Sequence, residues 1–200
     1  MIWLIVPQLH LIQLLHDHGY THQDLKPENI LSDGQNNAIV SRFYLIDLAS
    51  ATLYRDPKTG SHIQHTTAHG IVGTRRYMSI DAYGGRAQSR RSDIQSLLYI
   101  FIYLAKGGLP WQGIQGSERE RLTCNAKEQV QAEGLVRGID EQLAGALLGF
   151  AQHAFALRFD ERPDYEDLRQ RFGVALEMMT DTDERCLWPG GLLTPEGCLR

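Results

Sequence analysis

The sequence predicts a mainly α fold, with short β strands gathered around one polar loop near the start of the chain. Three observations carry that expectation. Apolar residues recur at helical spacing over several long stretches, while strand-like runs are few and short. Between them lies His22-Gln23-Asp24-Leu25-Lys26-Pro27-Glu28-Asn29, followed by Leu45-Ile46-Asp47, a density of polar chemistry that a plain connecting loop does not need.

Pro7 to His18 reads as a helix, with Pro7 tolerated in its first turn and Leu9, Ile12 and His16 beside Leu11 and Leu15 forming two apolar stripes that should be largely buried. Gly19 suits the position just past its end. Ala38-Ile39-Val40 and Phe43-Tyr44-Leu45-Ile46 read as short strands flanking turns. Asp56-Pro57-Lys58-Thr59-Gly60 is turn chemistry inside a polar segment reaching about Gly73, and so long a connection is expected to be functional or mobile. Ser92 to Lys106 is the clearest helix, with Ser92 as its N-cap and Gly107-Gly108 as its stop. Glu118 to Gln131 reads as a charged, exposed helix, and Leu143 to Leu157 and Tyr165 to Met179 as amphipathic ones. From Thr180 onward Gly, Pro and acidic residues suggest a loosely held tail.

With 42% hydrophobic and 22% charged residues over 200 positions, the chain is an ordinary globular domain with a sizeable core. A net charge of -4 provides no global basic field for nucleic acid or an anionic membrane, so any anion site must be local. Cys124, Cys186 and Cys198 are odd in number and lack metal-ligand spacing, which points to a reducing intracellular compartment, cytoplasmic or nuclear. Met1 to Val6 is apolar but lacks a positive leader, and Pro7, Gln8, His10 and Gln13 interrupt it. It is too short and too polar to span a bilayer and reads as a buried strand or helix start.

The polar loop has the residue types that hold metal-bound phosphates beside a hydroxyl nucleophile. Asp24 is the candidate base, and Lys26 lies two residues on, in reach of a transferring phosphate. Asn29 and Asp47 are hard oxygen ligands of the kind magnesium needs when it also keeps phosphate oxygens and water. His62, His65 and His69 lie in the long polar segment without supporting Cys or carboxylate, and read as loop histidines without metal.

This string resembles the catalytic loop of eukaryotic protein kinases, and Lys26-Pro27-Glu28 is its serine/threonine form. Gly73-Thr74-Arg75-Arg76-Tyr77-Met78-Ser79-Ile80-Asp81 is similar to the casein kinase I segment that stands where other kinases have Ala-Pro-Glu. Gln88 to Asp93, Leu109 to Gly113 and Leu157 to Tyr165 resemble that family too, so the likeness runs from about Leu4 to Phe172. The resemblance implies a protein-kinase-like carboxy-terminal lobe over residues 1–176 with a tail over 177–200, and no N-lobe β-sheet. It implies transfer of the ATP γ-phosphoryl group to protein Ser/Thr hydroxyls, with ATP and Mg2+ held through Lys26, Asn29 and Asp47. It also implies that Asp93 holds the catalytic loop, and that Arg75 and Arg76 favour acidic or phosphorylated protein substrates.

Several positions depart from the family pattern. Gln23 replaces the Arg that pairs with a phosphorylated loop, so that form of control is not expected. Leu48-Ala49 replace Phe-Gly, keeping an apolar anchor but removing easy access to positive φ. Ile114-Gln115 stand where the family supplies another lysine. Nothing in the 200 residues matches the Gly-rich loop, the strand lysine or the adenine-reading hinge. The expectation is therefore a kinase lobe inactive alone, with a non-catalytic, pseudokinase-like binding module as the alternative.

Overall fold

The computed structural model describes residues 2–33, 42–67 and 70–182. In chain order the elements are α1 (Ile2–Asp17), β1 (Tyr20–Thr21), a 3-10 turn (Pro27–Asn29), β2 (Ile30–Ser32), β3 (Phe43–Leu45), a second 3-10 turn (Leu48–Ser50) and β4 (Thr52–Leu53). Then come α2 (Ile80–Tyr83), α3 (Arg90–Lys106), α4 (Arg119–Gln129), α5 (Ala132–Val136), α6 (Glu141–Ala156) and α7 (Tyr165–Thr182). Among the described residues the β structure is two antiparallel two-stranded ladders, and no helix is long and apolar enough to cross a membrane. The fold is thus mainly α.

Helix α3 is the axis of the core. Every residue from Ser92 to Ile102 is buried, so this helix is surrounded on all sides, as its continuous apolar run dictates. Phe101 meets Phe150 of α6 and Phe172 of α7, with ring centroids 5.8 and 6.4 Å apart, and those two rings meet each other at 6.0 Å. Offset and edge contacts of this kind favour one packing over many. Helix α1 lies against α7 and adds Ile5, Leu9 and Ile12 to the same core.

Both ladders pack on helix α1, one through β1 and the other through β3. Strand β2 pairs with β3 in the register Ile30↔Leu45, Leu31↔Tyr44 and Ser32↔Phe43, and β1 pairs with β4 as Tyr20↔Leu53 and Thr21↔Thr52. Residues 22–29 and 46–51 therefore hang between pairs of short strands, and each pair fixes both stretches at once.

Several expectations are corrected. Helix α1 begins at Ile2, so Pro7 lies inside it and not in its first turn. The apolar residues before Pro7 continue the helix, and the missing proline N–H is the local cost. Among residues 5–17 the buried positions of α1 are Ile5, Gln8, Leu9, Ile12 and His16, while Leu11 and Leu15 of the second stripe are only partly buried. Helix α3 starts two residues before Ser92: Ser89 is the N-cap, and its backbone N–H donates to Ser92 Oγ at 3.3 Å. Helix α4 is not exposed all round, because Thr123 and Lys127 are buried. The β2 and β1–β4 strands and the short α2 and α5 fall below the length at which periodicity shows. The expected strand Ala38-Ile39-Val40, together with His69, Cys186 and Cys198, lies outside the described residues.

The polar segment after β4 is tied down at several points. Asp56 Oδ1 accepts from Lys58 N and Thr59 N, both at 2.8 Å. Isolated bridges join Arg55 to His62 and Thr67 to Arg86. The His62 and His65 rings pack on Phe159, at 5.0 Å edge-on and 4.4 Å stacked. The segment thereby straps the 157–165 turn onto the lobe.

Candidate active site

Asp24 lies half-buried in the loop between β1 and β2. Its Oδ1 accepts from Thr74 Oγ1 at 2.7 Å and its Oδ2 from Lys26 Nζ at 3.0 Å. Burial works to raise the Asp24 pKa, but the Thr74 hydroxyl and the Lys26 ammonium outweigh it, and the carboxyl sits below its ordinary value. The same hydrogen bond to Asp24 raises Lys26, with Asp47 and Glu28 adding to it by charge. Asp24 is therefore ionised and aimed, and Thr74, fifty residues away in sequence, does much of the aiming.

Asn29 is buried at the end of the 3-10 turn, and its Nδ2 donates to the Asp24 carbonyl at 3.0 Å. The side-chain amide is thus oriented by the backbone of the residue it sits beside. Asp47 is exposed and left-handed, with φ 60° and ψ 68°. Its neighbour Ile46 is held on both sides: the Ile46 N–H donates to Asn29 O at 3.0 Å, and the Ile46 carbonyl accepts from His22 Nε2 at 3.1 Å. The two candidate ligand positions are tied together through that one residue. Hard oxygens at Asn29 and Asp47 with an ammonium at Lys26 are a donor set that fits magnesium-bound phosphate.

Asp93, in the first turn of α3, is 1% exposed and accepts from His22 N at 2.7 Å, Gln23 N at 3.0 Å and His16 Nε2 at 2.9 Å. A carboxylate only accepts, so His16 carries its proton on Nε2, and its Nδ1 meets the Tyr165 hydroxyl at 2.5 Å. Burial pushes the Tyr165 phenol well up, so it stays a donor. This chain from α7 through α1 to α3 ends on the backbone of the catalytic-type loop. His16 and Tyr165 were missed by sequence reasoning, since each is also an unremarkable helix residue.

Among the described residues Gln23 is the other non-glycine residue at positive φ, 68°. Its Nε2 donates to Thr52 Oγ1 and, at 3.2 Å, to Thr21 Oγ1, while Gln88 Nε2 donates to its Oε1 at 3.4 Å. A neutral amide network therefore occupies the place where the resemblance puts an Arg. Leu48, expected as an apolar anchor, is instead 53% exposed, and its 3-10 turn contains no buried residue. Ala49 is not among the positive-φ residues, so its backbone here does not require glycine.

The 73–78 segment closes over the loop. Gly73 has φ 111°, and a Cβ there would stand 2.6 Å from the Gln23 carbonyl oxygen, so only glycine allows this approach. Arg75 pairs with Glu120 of α4, and Arg76 lies over the Tyr103 and Tyr77 rings at 5.2 and 5.8 Å. Behind them Asp81 is buried and paired with Arg86 at 2.9 Å and Arg91 at 2.6 Å, anchoring the segment to α3. The Ser79-Ile80-Asp81 string pointed at this stretch, but the two arginines that answer it were not legible.

A half-buried carboxylate held between a hydroxyl and an ammonium, an oriented amide and a left-handed acidic turn, all carried on a helical lobe, are the layout expected of a protein-kinase lobe. Comparison with known families matches residues 5–171 to the protein kinase domain. The chain is 35% identical over 176 residues to casein kinase I homolog 2 of Schizosaccharomyces pombe, covering 86% of this chain and 40% of that protein. It is 34% identical over 185 residues to casein kinase I homolog 1 of Saccharomyces cerevisiae, covering 91% of this chain and 34% of that one. The chain thus spans about a third to two fifths of the curated relatives it matches. It belongs to the protein kinase family and is casein kinase I-like.

Proposed function

We propose that this lobe carries the hydroxyl-orienting and metal-binding half of a serine/threonine kinase of casein kinase I type, which transfers the ATP γ-phosphoryl group to protein hydroxyls. The placement of Asp24 between Thr74 and Lys26, beside Asn29 and the Ile46-Asp47 turn, supports this reading most directly. Asp24 accepts the substrate hydroxyl and takes its proton as the oxygen bonds to phosphorus and ADP departs. Its lowered pKa makes it a weak base, which suits a transition state that depends on positioning more than on early proton removal. Lys26 faces the transferred phosphoryl group. Asn29 and Asp47 would hold Mg2+, which neutralises phosphate charge when bound.

Substrates with acidic or phosphorylated residues fit the arginines at 75 and 76. Arg75 shares its charge with Glu120, so Arg76, which has no ion pair among the described residues, carries more of this preference. The 200 residues contain no Gly-rich phosphate loop or strand lysine, so this length of chain alone is expected to show no turnover. The test is Asp24→Asn in an active kinase containing this lobe. The rate on an acidic protein substrate should fall by about 10²–10⁴-fold with the melting curve retained. Unchanged turnover would remove Asp24 from its role. Thermal shift of the 200-residue chain with Mg-ATP addresses the alternative: no shift favours a non-catalytic binding module.

A further inference from the structure

Lys127 is 1% exposed on a helix whose other charges face solvent. Its Nζ donates to Met78 O at 2.8 Å and to Arg76 O at 3.3 Å. It stands 4.1 Å from the Trp111 ring centroid, 4.5 Å from Tyr99 and 5.8 Å from Tyr83. Trp111 adds a second donor, its Nε1, to Arg76 O at 2.8 Å. Among the described residues no carboxylate pairs with Lys127. Burial pushes the ammonium down to about 7, while two carbonyls and three ring faces favour the cation. The arrangement is an ammonium cage filled from within the chain.

What the cage grips is more telling than its depth. Tyr77 N and Met78 N both donate to Thr74 O, at 2.8 and 2.9 Å, so 74–78 is one tight turn. Its carbonyls at 76 and 78 point inward to Lys127, while the Arg75 and Arg76 side chains point out. At the other end, the Thr74 hydroxyl reaches Asp24. Helix α4 holds the same turn twice, since Glu120 pairs with Arg75. A lysine needed only to fill the core could be exchanged for an apolar side chain of similar shape. This one supplies donors to two carbonyls of the segment that faces the substrate.

We propose that Lys127 is a positioning residue for substrate recognition: its ammonium clamps the Arg76 and Met78 carbonyls and thereby sets where Thr74, Arg75 and Arg76 stand relative to Asp24. The substrate half of this statement rests on the kinase reading above; the clamp does not.

Hydrogen exchange of the 200-residue chain tests the clamp, with α3 amides as internal reference. Lys127→Met keeps the stem but removes the donors. It should leave α3 protection unchanged while the Tyr77 and Met78 amides exchange about tenfold faster or more. In Lys127→Ala, excess ethylammonium should restore protection at 77 and 78, and an equal concentration of propanol should not. Unchanged exchange at 77 and 78 in Lys127→Met, or failure of ethylammonium to restore it in a folded Lys127→Ala, would overturn the clamp. So would loss of cooperative folding in Lys127→Met, which would make the ammonium a requirement of the whole fold and not of this turn. In an active kinase containing this lobe, Lys127→Met should raise KM for an acidic protein substrate about tenfold, with KM for ATP kept. An unchanged substrate KM beside a loosened turn would overturn the recognition role. Absence of turnover in the unmutated kinase would instead count against the kinase reading and leave the clamp to the exchange data.

Discussion

Replacing Asp93 with Ala separates two accounts of the same residue. As an acid in the first turn of α3, Asp93 would contribute up to about 1 kcal/mol through the helix dipole. In the structure its carboxylate instead accepts from His22 N, Gln23 N and His16 Nε2 at 2.7, 3.0 and 2.9 Å, with the side chain 1% exposed. Asp93→Ala strands three donors that have little access to water, each costing about 1–3 kcal/mol if nothing replaces the acceptor. Some of that is recovered, because Gln23 at φ 68° is released from a left-handed conformation that costs about 1–2 kcal/mol. Removing one member of a buried charged network commonly costs about 3–5 kcal/mol, and that is the expected loss here. At about 2–4 °C per kcal/mol for a domain of this size, the melting temperature should fall by about 6–20 °C. Urea unfolding followed by circular dichroism measures the total, and hydrogen exchange of amides 22 and 23 reports where the loss is felt. A loss near 1 kcal/mol with amides 22 and 23 still protected would refute the network account and leave the dipole.

Two further outcomes follow from other contacts. Gly73→Ala places a Cβ 2.6 Å from Gln23 O at φ 111°. It should cost about 1–3 kcal/mol in urea unfolding and, in an active kinase, lower turnover by displacing Thr74 from Asp24. His153 is half-buried, and burial holds its pKa below the ordinary 6.5 against the nearby carboxylates. Its Nε2 accepts from Asp164 N at 3.2 Å, a bond that needs an unprotonated nitrogen. A depressed folded pKa contributes stability that is present above the unfolded value and is lost as pH falls through the folded one. The urea midpoint should therefore drop as pH is lowered from about 7 toward 5, and His153→Gln should flatten that part of the profile.

Much of the site was legible because kinase chemistry is concentrated in one short string. Asp24, Lys26 and Asn29 lie within six positions, and Asp47 follows a strand-like run. The long helices were legible for a related reason: α3, α6 and α7 each repeat their apolar positions over several turns. Boundaries failed where local signals competed. Ser92 and Ser89 are both credible caps three residues apart, and Pro7 looks like a start only when the apolar residues before it are left out. Strands of two and three residues carry no periodicity at all.

The sequence by itself determined the lineage, the identities of the candidate base and metal ligands, and a helical core, because each depends on residue type and short-range spacing. Tertiary structure alone decided what holds those residues in place. Thr74 on Asp24, His16 and Tyr165 behind Asp93, the Gln23 amide network and Lys127 beneath Arg76 join positions from 29 to 149 residues apart. No local pattern encodes such pairs. They exist because packing α1, α3, α4 and α7 around one core buries polar groups that must then find partners across it.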